Sequence, residues 1–367
     1  MDPRIKKLAQ VMCHYSLKVK RNNLVMISGT YLAEPLFQAF YEEALLAGAH
    51  VKTKASISGL SDIFYKYATR KQLTYISEMD MLEIEKIDAM LSIFSDFNTR
   101  NLTNADPKKM AISQSARREL MKRFMERVAE GSLRWCGTAF PTQALAQDAE
   151  MSLSEYEDFV YSAGKLDHRD PVAEWQKVSK WQQKICNWLG KRKKFRIVGK
   201  DTDIAFSAKG RKWINCDGME NFPDGEVFTG PIESSVEGHV HFSYPACLYG
   251  REVMDVSLTF KNGKVVEANA LKGEEFLRAM LDSEAGARYV GEIAFGTNYD
   301  LRRFTRNTLF DEKIGGTFHL AVGASLPESG GKNIAALHWD MVCDLRTQGE
   351  AYADGELFHK NGKFLIE

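Results

Sequence analysis

The stretch NTLFDEKIGGTFHLAVGASLPESGGKNIAALHWD, residues 307–340, brings Glu312, His319, His338 and Asp340 into one short span. His338 and Asp340 are two residues apart, so on a β-strand their side chains point to the same face. The small and apolar residues before them predict a buried strand that ends at a polar site. Histidine with carboxylate suits zinc, cobalt or manganese. A single His-x-Asp is also compatible with a surface pair or a hydrogen-bonded core histidine.

Two glutamates upstream share a local pattern, in which glycine precedes the glutamate and apolar residues follow it. They are Glu226, after the turn Pro223-Asp-Gly, and Glu292, in GEIAFG at 291–296. A carboxylate at the start of a buried strand is costly unless it is paired or binds a cation. The alternative for each residue is a solvent-exposed glutamate at a strand end.

Length and charge set limits on the protein class. A chain of 367 residues is long enough for two domains. Its 49 basic and 49 acidic residues cancel, so we expect neither nucleic acid nor an anionic membrane as a partner. The charged N-terminal stretch MDPRIKKLAQVM has no apolar h-region, so we do not expect a secretory signal. No run approaches roughly 18 apolar residues, and the six cysteines form no CxxC pair. These features predict a cytoplasmic protein with reduced thiols.

Strands alternate with helices over about the first 150 residues, which predicts a parallel α/β sheet. Single helices are expected over 70–86 and over about 107–130. No GxGxxG or GxxxxGK[ST] motif follows any of these strands, so the first domain is interpreted as a scaffold or dimerisation domain rather than a nucleotide site. Residues 152–190 are helical and rich in aromatic residues, and the basic run 191–194 follows them. Rings beside a basic groove can bind single-stranded nucleic acid, but helical spacing favours core packing here. We place this domain at residues 1–190.

From Phe195 onward the sequence changes to short alternating strands separated by turns. Two identical KNGK tetrapeptides, at 261–264 and 360–363, predict type I′ β-hairpins. A helix is expected at 273–286. Residues 191–367 therefore predict a β-rich (α+β) domain that carries the candidate site.

The motifs at 223–227, 291–292, 307–312, 319–323 and 338–340 together resemble the M29 aminopeptidases, the thermophilic or aminopeptidase T/S family. The resemblance extends over essentially the whole chain in length and layout. It implies an N-terminal α/β domain, a β-rich catalytic C-terminal domain, a homodimer and a site for two divalent metal ions. Zinc, cobalt or manganese would suit that site, and magnesium is possible.

The resemblance also assigns roles to individual residues. Glu292 matches a bridging carboxylate, and Glu312 matches a further glutamate that serves as outer ligand or general base. The implied activity is an aminopeptidase that releases N-terminal residues from peptides with a free α-amine. The implied metal ligands are Glu226, Glu292, His319, His338 and Asp340.

Two departures from the family pattern keep alternatives open. Leu326 stands where the family carries a tyrosine that stabilises the tetrahedral intermediate, and the insert 313–318 is longer than expected. One alternative is an iron dioxygenase that cleaves dihydroxypyridine rings with two histidines and one carboxylate, although Glu226 and Glu292 argue against it. The other is a catalytically weakened, non-peptidase homologue. The pair His239-Val-His241 matches no family ligand and is interpreted as structural.

Overall fold

The structure is a computed structural model and describes residues 2–366. It forms two compact units. One contains the chain up to Val172 together with Gly218–Pro223, and the other contains Ala173–Asp217 and the chain from Asp224 onward. The predicted boundary at residue 190 assigned the helix Pro171–Leu189 to the first domain. In the structure most of this helix lies in the second unit, because its apolar residues Ile185 and Leu189 pack into the core of that unit.

The strands are, in chain order, β1 (Leu24–Thr30), β2 (His50–Ser56), β3 (Ala89–Phe94), β4 (Arg134–Ala139), β5 (Lys194–Gly199), β6 (Thr202–Ser207), β7 (Ile214–Cys216), β8 (Asn221–Phe222), β9 (Glu226–Thr229), β10 (Glu237–His241), β11 (Ala246–Leu248), β12 (Arg251–Val253), β13 (Ser257–Lys261), β14 (Lys264–Asn269), β15 (Val290–Gly296), β16 (Thr317–Gly323), β17 (His338–Asp344), β18 (Glu350–Ala353), β19 (Glu356–Lys360) and β20 (Lys363–Phe364).

The α-helices are α1 (Pro3–Gln10), α2 (Glu34–Leu46), α3 (Leu60–Tyr67), α4 (Arg70–Leu73), α5 (Glu78–Lys86), α6 (Pro107–Ala116), α7 (Arg118–Ala129), α8 (Gln143–Asp148), α9 (Leu153–Ala163), α10 (Pro171–Leu189), α11 (Glu274–Leu281) and α12 (Thr308–Asp311). Within the described part of the chain, none of the helices combines the length and the apolar character that crossing a membrane requires.

The first unit is built on a parallel five-stranded sheet in the order β2-β1-β3-β4-β8. This confirms the α/β architecture predicted from the alternating strands and helices. Helix boundaries were less accurate, since the single helix predicted over about 107–130 is two helices that meet at Arg117. The helix predicted over 70–86 is also two, because Gln72 Oε1 accepts from the Thr69 N–H at the start of the first helix and the Ser77 side chain accepts from the Met79 N–H at the start of the second.

The second unit contains three antiparallel sheets. The largest has the order β14-β13-β10-β6-β5-β18-β19-β20, the next has the order β17-β16-β15-β9-β7, and β11 pairs with β12. Both predicted KNGK hairpins are confirmed. Asn262 and Gly263 have φ values of 50° and 80°, and Asn361 and Gly362 have φ values of 46° and 79°. Positive φ at both central residues is what a type I′ turn requires.

His359 lies in the core of the second unit, against the rings of Phe295 and Phe364. It is fully buried, and neither ring nitrogen has a hydrogen-bond partner among the described residues. Burial therefore lowers the pKa of His359 to about 4. The core contains a histidine that stays neutral near neutral pH.

This histidine makes stability depend on pH. Between pH 7 and pH 5 the unfolded chain takes up a proton at His359, since a free histidine titrates near 6.5, whereas the folded chain does not. We expect the free energy of unfolding to fall by about 2 kcal/mol from this cause as the pH drops over that range. His359→Phe should remove this part of the loss. Urea unfolding at both pH values measures it, with His50→Phe, at an exposed position, as control. An unchanged pH dependence in His359→Phe would contradict this account.

Candidate metal centre

Four neighbouring strands of the five-stranded antiparallel sheet each contribute to one cluster of side chains. In the order β17-β16-β15-β9 they carry His338 and Asp340, then His319, then Glu292, then Glu226. Asp340 lies opposite Ala321, and Ala321 lies opposite Glu292. Gly296 lies opposite Glu226. Because side chains alternate along a strand, all five residues project from the same face of the sheet.

On this face, the positions that follow Glu292 and His319 along the two central strands carry very small residues, whereas Phe228 and Val342 lie on the flanking strands. Ala294 and Gly296 follow Glu292 at alternate positions, and Ala321 and Gly323 follow His319 in the same way. The opposite face carries the large apolar residues of the core, which include Ile293, Phe295, Leu320, Val322, Trp339 and Met341. The sheet therefore buries one apolar face and leaves a cradle for polar groups on the other.

His319 contacts two carboxylates within this cradle. Its Nε2 atom lies 3.3 Å from Glu226 Oε2 and 3.5 Å from Glu292 Oε1. Its side chain is 1% exposed, and the two glutamate side chains are 8% and 5% exposed. One donor atom from each of these three residues lies within 4.8 Å of the others.

His338 contacts the other side of Glu292. Its Nε2 atom lies 3.7 Å from Glu292 Oε2 and 3.4 Å from Asp340 Oδ2. Its Nδ1 atom is 2.9 Å from the carbonyl oxygen of Ala324. A carbonyl oxygen can only accept, so Nδ1 carries a proton and donates. In the neutral ring this leaves the Nε2 lone pair directed at the carboxylates, which is the orientation that a metal-binding histidine needs.

A buried glutamine holds the backbone at Glu226. The Gln182 side chain, on α10, donates from Nε2 to the carbonyl oxygens of Glu226 and Cys216 at 3.0 and 2.9 Å. Its Oε1 atom accepts from the Thr297 hydroxyl at 3.0 Å. Gln182 thus ties β7, β9 and the segment after β15 together behind the cluster.

Lys313 is a member of the site that the sequence analysis did not single out. Its side chain is 0% exposed and its ammonium contacts the Glu312 carboxylate. It also lies 3.5 Å from Glu226 Oε1 and 3.9 Å from Asp224 Oδ1. The sequence did mark this segment as unusual, since Lys313 is the first residue of the insert 313–318 that departs from the family pattern. A lysine beside an acidic residue usually lies on the surface, so sequence alone did not distinguish it.

Burial and mutual charge strongly perturb the ionisable groups of the cluster. Burial raises the pKa of Glu226 to about 8 and also raises the pKa of Glu312. Burial opposes the protonation of His319, but Glu292 and Glu226 outweigh it and raise the pKa of His319 to about 9. Burial has the same effect at His338, yet Asp340 and Glu292 raise its pKa to about 10. Without a metal, protons therefore occupy the positions where a cation would bind.

The donor set fits divalent metal ions. Five carboxylates, those of Asp224, Glu226, Glu292, Glu312 and Asp340, face a single ammonium group and two imidazoles. Among the described residues, Glu226 Oε2, Asp340 Oδ1 and His319 Nδ1 are buried without a hydrogen-bond partner. Buried polar atoms are normally satisfied, so the two unsatisfied carboxylate oxygens indicate a cation position. Mixed imidazole and carboxylate donors suit zinc, cobalt and manganese.

A narrow cleft of about 10 Å³ leads from this cluster, which is room for about one water molecule. Its lining contains the carboxylates of Asp311, Glu312 and Asp340 together with Pro245, Cys247, Phe304, Thr308 and Val342. Carboxylates and apolar side chains therefore meet in the cleft.

The remaining residues discussed from sequence lie outside this cluster. Leu326 follows β16 at the start of a short 3₁₀ turn, and its carbonyl accepts from the Ser329 hydroxyl at 2.7 Å. His239 and His241 lie on β10, in the eight-stranded sheet. His241 Nε2 is 2.6 Å from Asp255 Oδ1.

Comparison with known proteins assigns the chain to a family. The sequence profile of the family described as "Thermophilic metalloprotease (M29)" matches residues 1–364. Aminopeptidase 2 of Geobacillus stearothermophilus is 23% identical over 351 residues, which is 89% of this chain and 84% of that protein. Aminopeptidase T of Thermus thermophilus is 26% identical over 359 residues, which is 89% of this chain and 85% of that protein.

The fold has a solved counterpart. The structure titled "Wild-type AmpT from Thermus thermophilus" superposes with a TM-score of 0.86 and covers 99% of both chains at 23% identity. This likeness establishes the fold of the chain and agrees with the architecture described above.

Proposed function

Because the chain belongs to the thermophilic metalloprotease (M29) family, we propose that it is a metal-dependent aminopeptidase which removes N-terminal residues from peptides. The observation that carries the proposal is Glu292, whose two carboxylate oxygens face different imidazoles, those of His319 and His338. A carboxylate shared in this way suits a bridge between two divalent ions. The similar proteins named as aminopeptidases support the same activity.

The residues would hold the ions in two groups around Glu292. Glu226 and His319 lie on one side of it, and His338 and Asp340 lie on the other. Bound divalent ions supply a Lewis acid and lower the pKa of coordinated water toward neutrality. Burial of the site strengthens the electrostatic interactions of every charged group there.

Glu312 is the proposed general base. Its carboxylate lines the cleft with Asp340 and also contacts the Lys313 ammonium. Burial raises the pKa of Glu312 above its usual value, which makes its carboxylate oxygen a stronger proton acceptor. It would accept the proton of the attacking water and return it to the leaving amine.

Hydrolysis of aminoacyl p-nitroanilides by protein reconstituted with cobalt, zinc or manganese tests the activity. Substrates with a free α-amine should be cleaved, and the same substrates with an acetylated amine should not. Turnover that requires metal and a free amine would establish the aminopeptidase. Bound metal with no turnover across the panel would favour the non-peptidase alternative that Leu326 raises.

The number of metal ions bound per chain distinguishes the proposed aminopeptidase from the remaining alternative, an iron dioxygenase. A ring-cleaving iron dioxygenase would use one ferrous ion with two histidines and one carboxylate. Glu226 and Glu292 both contact His319, so the cluster has more carboxylate groups than the single one that a mononuclear iron site uses. Two metal ions per chain by elemental analysis would support the proposal, whereas one ion with dihydroxypyridine turnover would overturn it. The homodimer and the cytoplasmic location stay predictions.

We propose that the cleft holds the water molecule which attacks the substrate, since it has room for about one water and the Glu312 and Asp340 carboxylates line it. Cys247→Trp fills it from the hairpin of β11 and β12 and should lower kcat/KM by about 10²-fold, because misplacing a reacting group by ~1 Å has an effect of that size. Metal content should not change. Tyr249→Trp, at a 59% exposed position in the turn of the same hairpin, is the control. Equal activity in both variants would place the attacking water elsewhere.

A further inference from the structure

We propose that the Lys313 ammonium occupies an additional cation position beside the metal centre. It thereby confines metal ions to the part of the site that contains His319 and His338. The ammonium is fully buried against three carboxylates, those of Glu312, Glu226 and Asp224. A buried ammonium is stable only when such charges compensate it. The inference concerns metal occupancy, so its test does not depend on peptide hydrolysis.

The surroundings of this ammonium resemble a metal site in their own right. Cys216, Asp224 and Glu226 each place a donor atom within 4.8 Å of the others. A thiolate with two carboxylates would bind a borderline or soft divalent ion such as cobalt or cadmium. The Lys313 ammonium lies beside two of these three residues. The position therefore has the charge that attracts a cation, and it already contains one.

The backbone leaves Lys313 little freedom to move away. Its N–H donates to the Phe310 carbonyl at 3.0 Å, and its own carbonyl accepts from the Asn298 N–H at 3.0 Å. Gly296 approaches so closely that an added Cβ would lie 3.0 Å from the Lys313 carbonyl carbon and 2.1 Å from the Ile314 carbonyl oxygen. The insert 313–318 thus holds the lysine against β15 and β9.

Lys313 also determines which oxygen of Glu226 faces the metal centre. Glu226 Oε1 lies toward the ammonium, whereas Oε2 lies toward His319 and has no hydrogen-bond partner among the described residues. One oxygen remains for a metal ion. Lys313 is therefore a positioning residue, since it acts on the centre through Glu226 and Glu312.

The test compares Lys313→Met, Lys313→Arg and the double variant Lys313→Met/Cys216→Ser after equilibrium dialysis against cobalt or cadmium. Lys313→Met should bind about one more ion per chain than the wild type, because a metal replaces the lost charge. It should also acquire thiolate-to-metal charge-transfer absorption. Lys313→Arg keeps the charge and should match the wild type in both measurements. The double variant should lose the absorption.

Each other outcome overturns the proposal. A thiolate absorption band in the wild type would mean that the ammonium does not exclude metal. An unchanged metal count in folded Lys313→Met would mean that no cation position is released. If Lys313→Met unfolds when apo, added metal should restore its circular dichroism spectrum. Failure of both Lys313→Met and the milder Lys313→Gln to fold with metal would equally contradict replacement of the ammonium by a metal ion.

Discussion

Glu292→Gln is expected to lower kcat/KM by at least ~10³-fold, which corresponds to about 4 kcal/mol of transition-state stabilisation. The substitution keeps the shape of the side chain and removes its charge. Glu292 Oε1 and Oε2 lie 3.5 and 3.7 Å from the Nε2 atoms of His319 and His338, so one change weakens both proposed ion positions. Steady-state hydrolysis of an aminoacyl p-nitroanilide and elemental analysis of bound metal measure the two effects.

Glu267→Gln is the matched control, because Glu267 is exposed on β14 in the other large sheet of the same unit. It should leave both activity and metal content at wild-type values. Wild-type turnover in Glu292→Gln would show that this carboxylate is not a bridge. Loss of turnover with full metal content would instead assign Glu292 to a step after metal binding.

Gly296→Ala is expected to lower the free energy of unfolding by about 3 kcal/mol, the upper end of what overpacking of a tight site usually costs. The added Cβ would lie 2.1 Å from the Ile314 carbonyl oxygen. That atom belongs to the backbone and cannot move without displacing the neighbouring Lys313. Urea unfolding of the metal-free protein measures the change. Metal content measured in parallel should also fall, because Gly296 lies opposite Glu226 in the sheet.

Gly199→Ala, at the end of β5, is the control for this substitution. There an added Cβ would meet the flexible end of Leu345 at 3.2 Å, and no backbone atom is among its nearest neighbours. We expect a change within about 1 kcal/mol. If both variants lose the same stability, the close approach of Gly296 to Ile314 is not what limits this site.

The sequence predicted the elements of this fold well where local chemistry decides them. The KNGK turns were placed correctly because Asn-Gly adopts positive φ at both positions. The alternation of strands and helices along the chain predicted a parallel sheet in the first unit, and the structure confirms it. Helix ends were less accurate, as in the break at Arg117, because the propensities around Arg117 do not specify where one helix stops and the next begins.

For the candidate site too, the sequence predicted some features and missed others. The sequence identified Glu226, Glu292, His319, His338 and Asp340 as a set, and the structure brings them together on one sheet face. The sequence contains a further signal for this site, the alternation of Glu292 and His319 with the small residues Ala294, Gly296, Ala321 and Gly323. Alternating small residues on a buried strand indicate space for something other than a side chain.

By itself, then, the sequence determined the fold class, the family and the likeness of five residues to metal ligands, because each depends on local pattern or on ordered motifs. Only the tertiary structure decided that Lys313 lies inside the site, that Gln182 supports Glu226 and that Oε2 of Glu226 is the oxygen left for a metal. These depend on the register of strands far apart in the chain and on which charges are buried together. The energy of a buried charge depends on its neighbours in the folded structure, which a local sequence pattern does not identify.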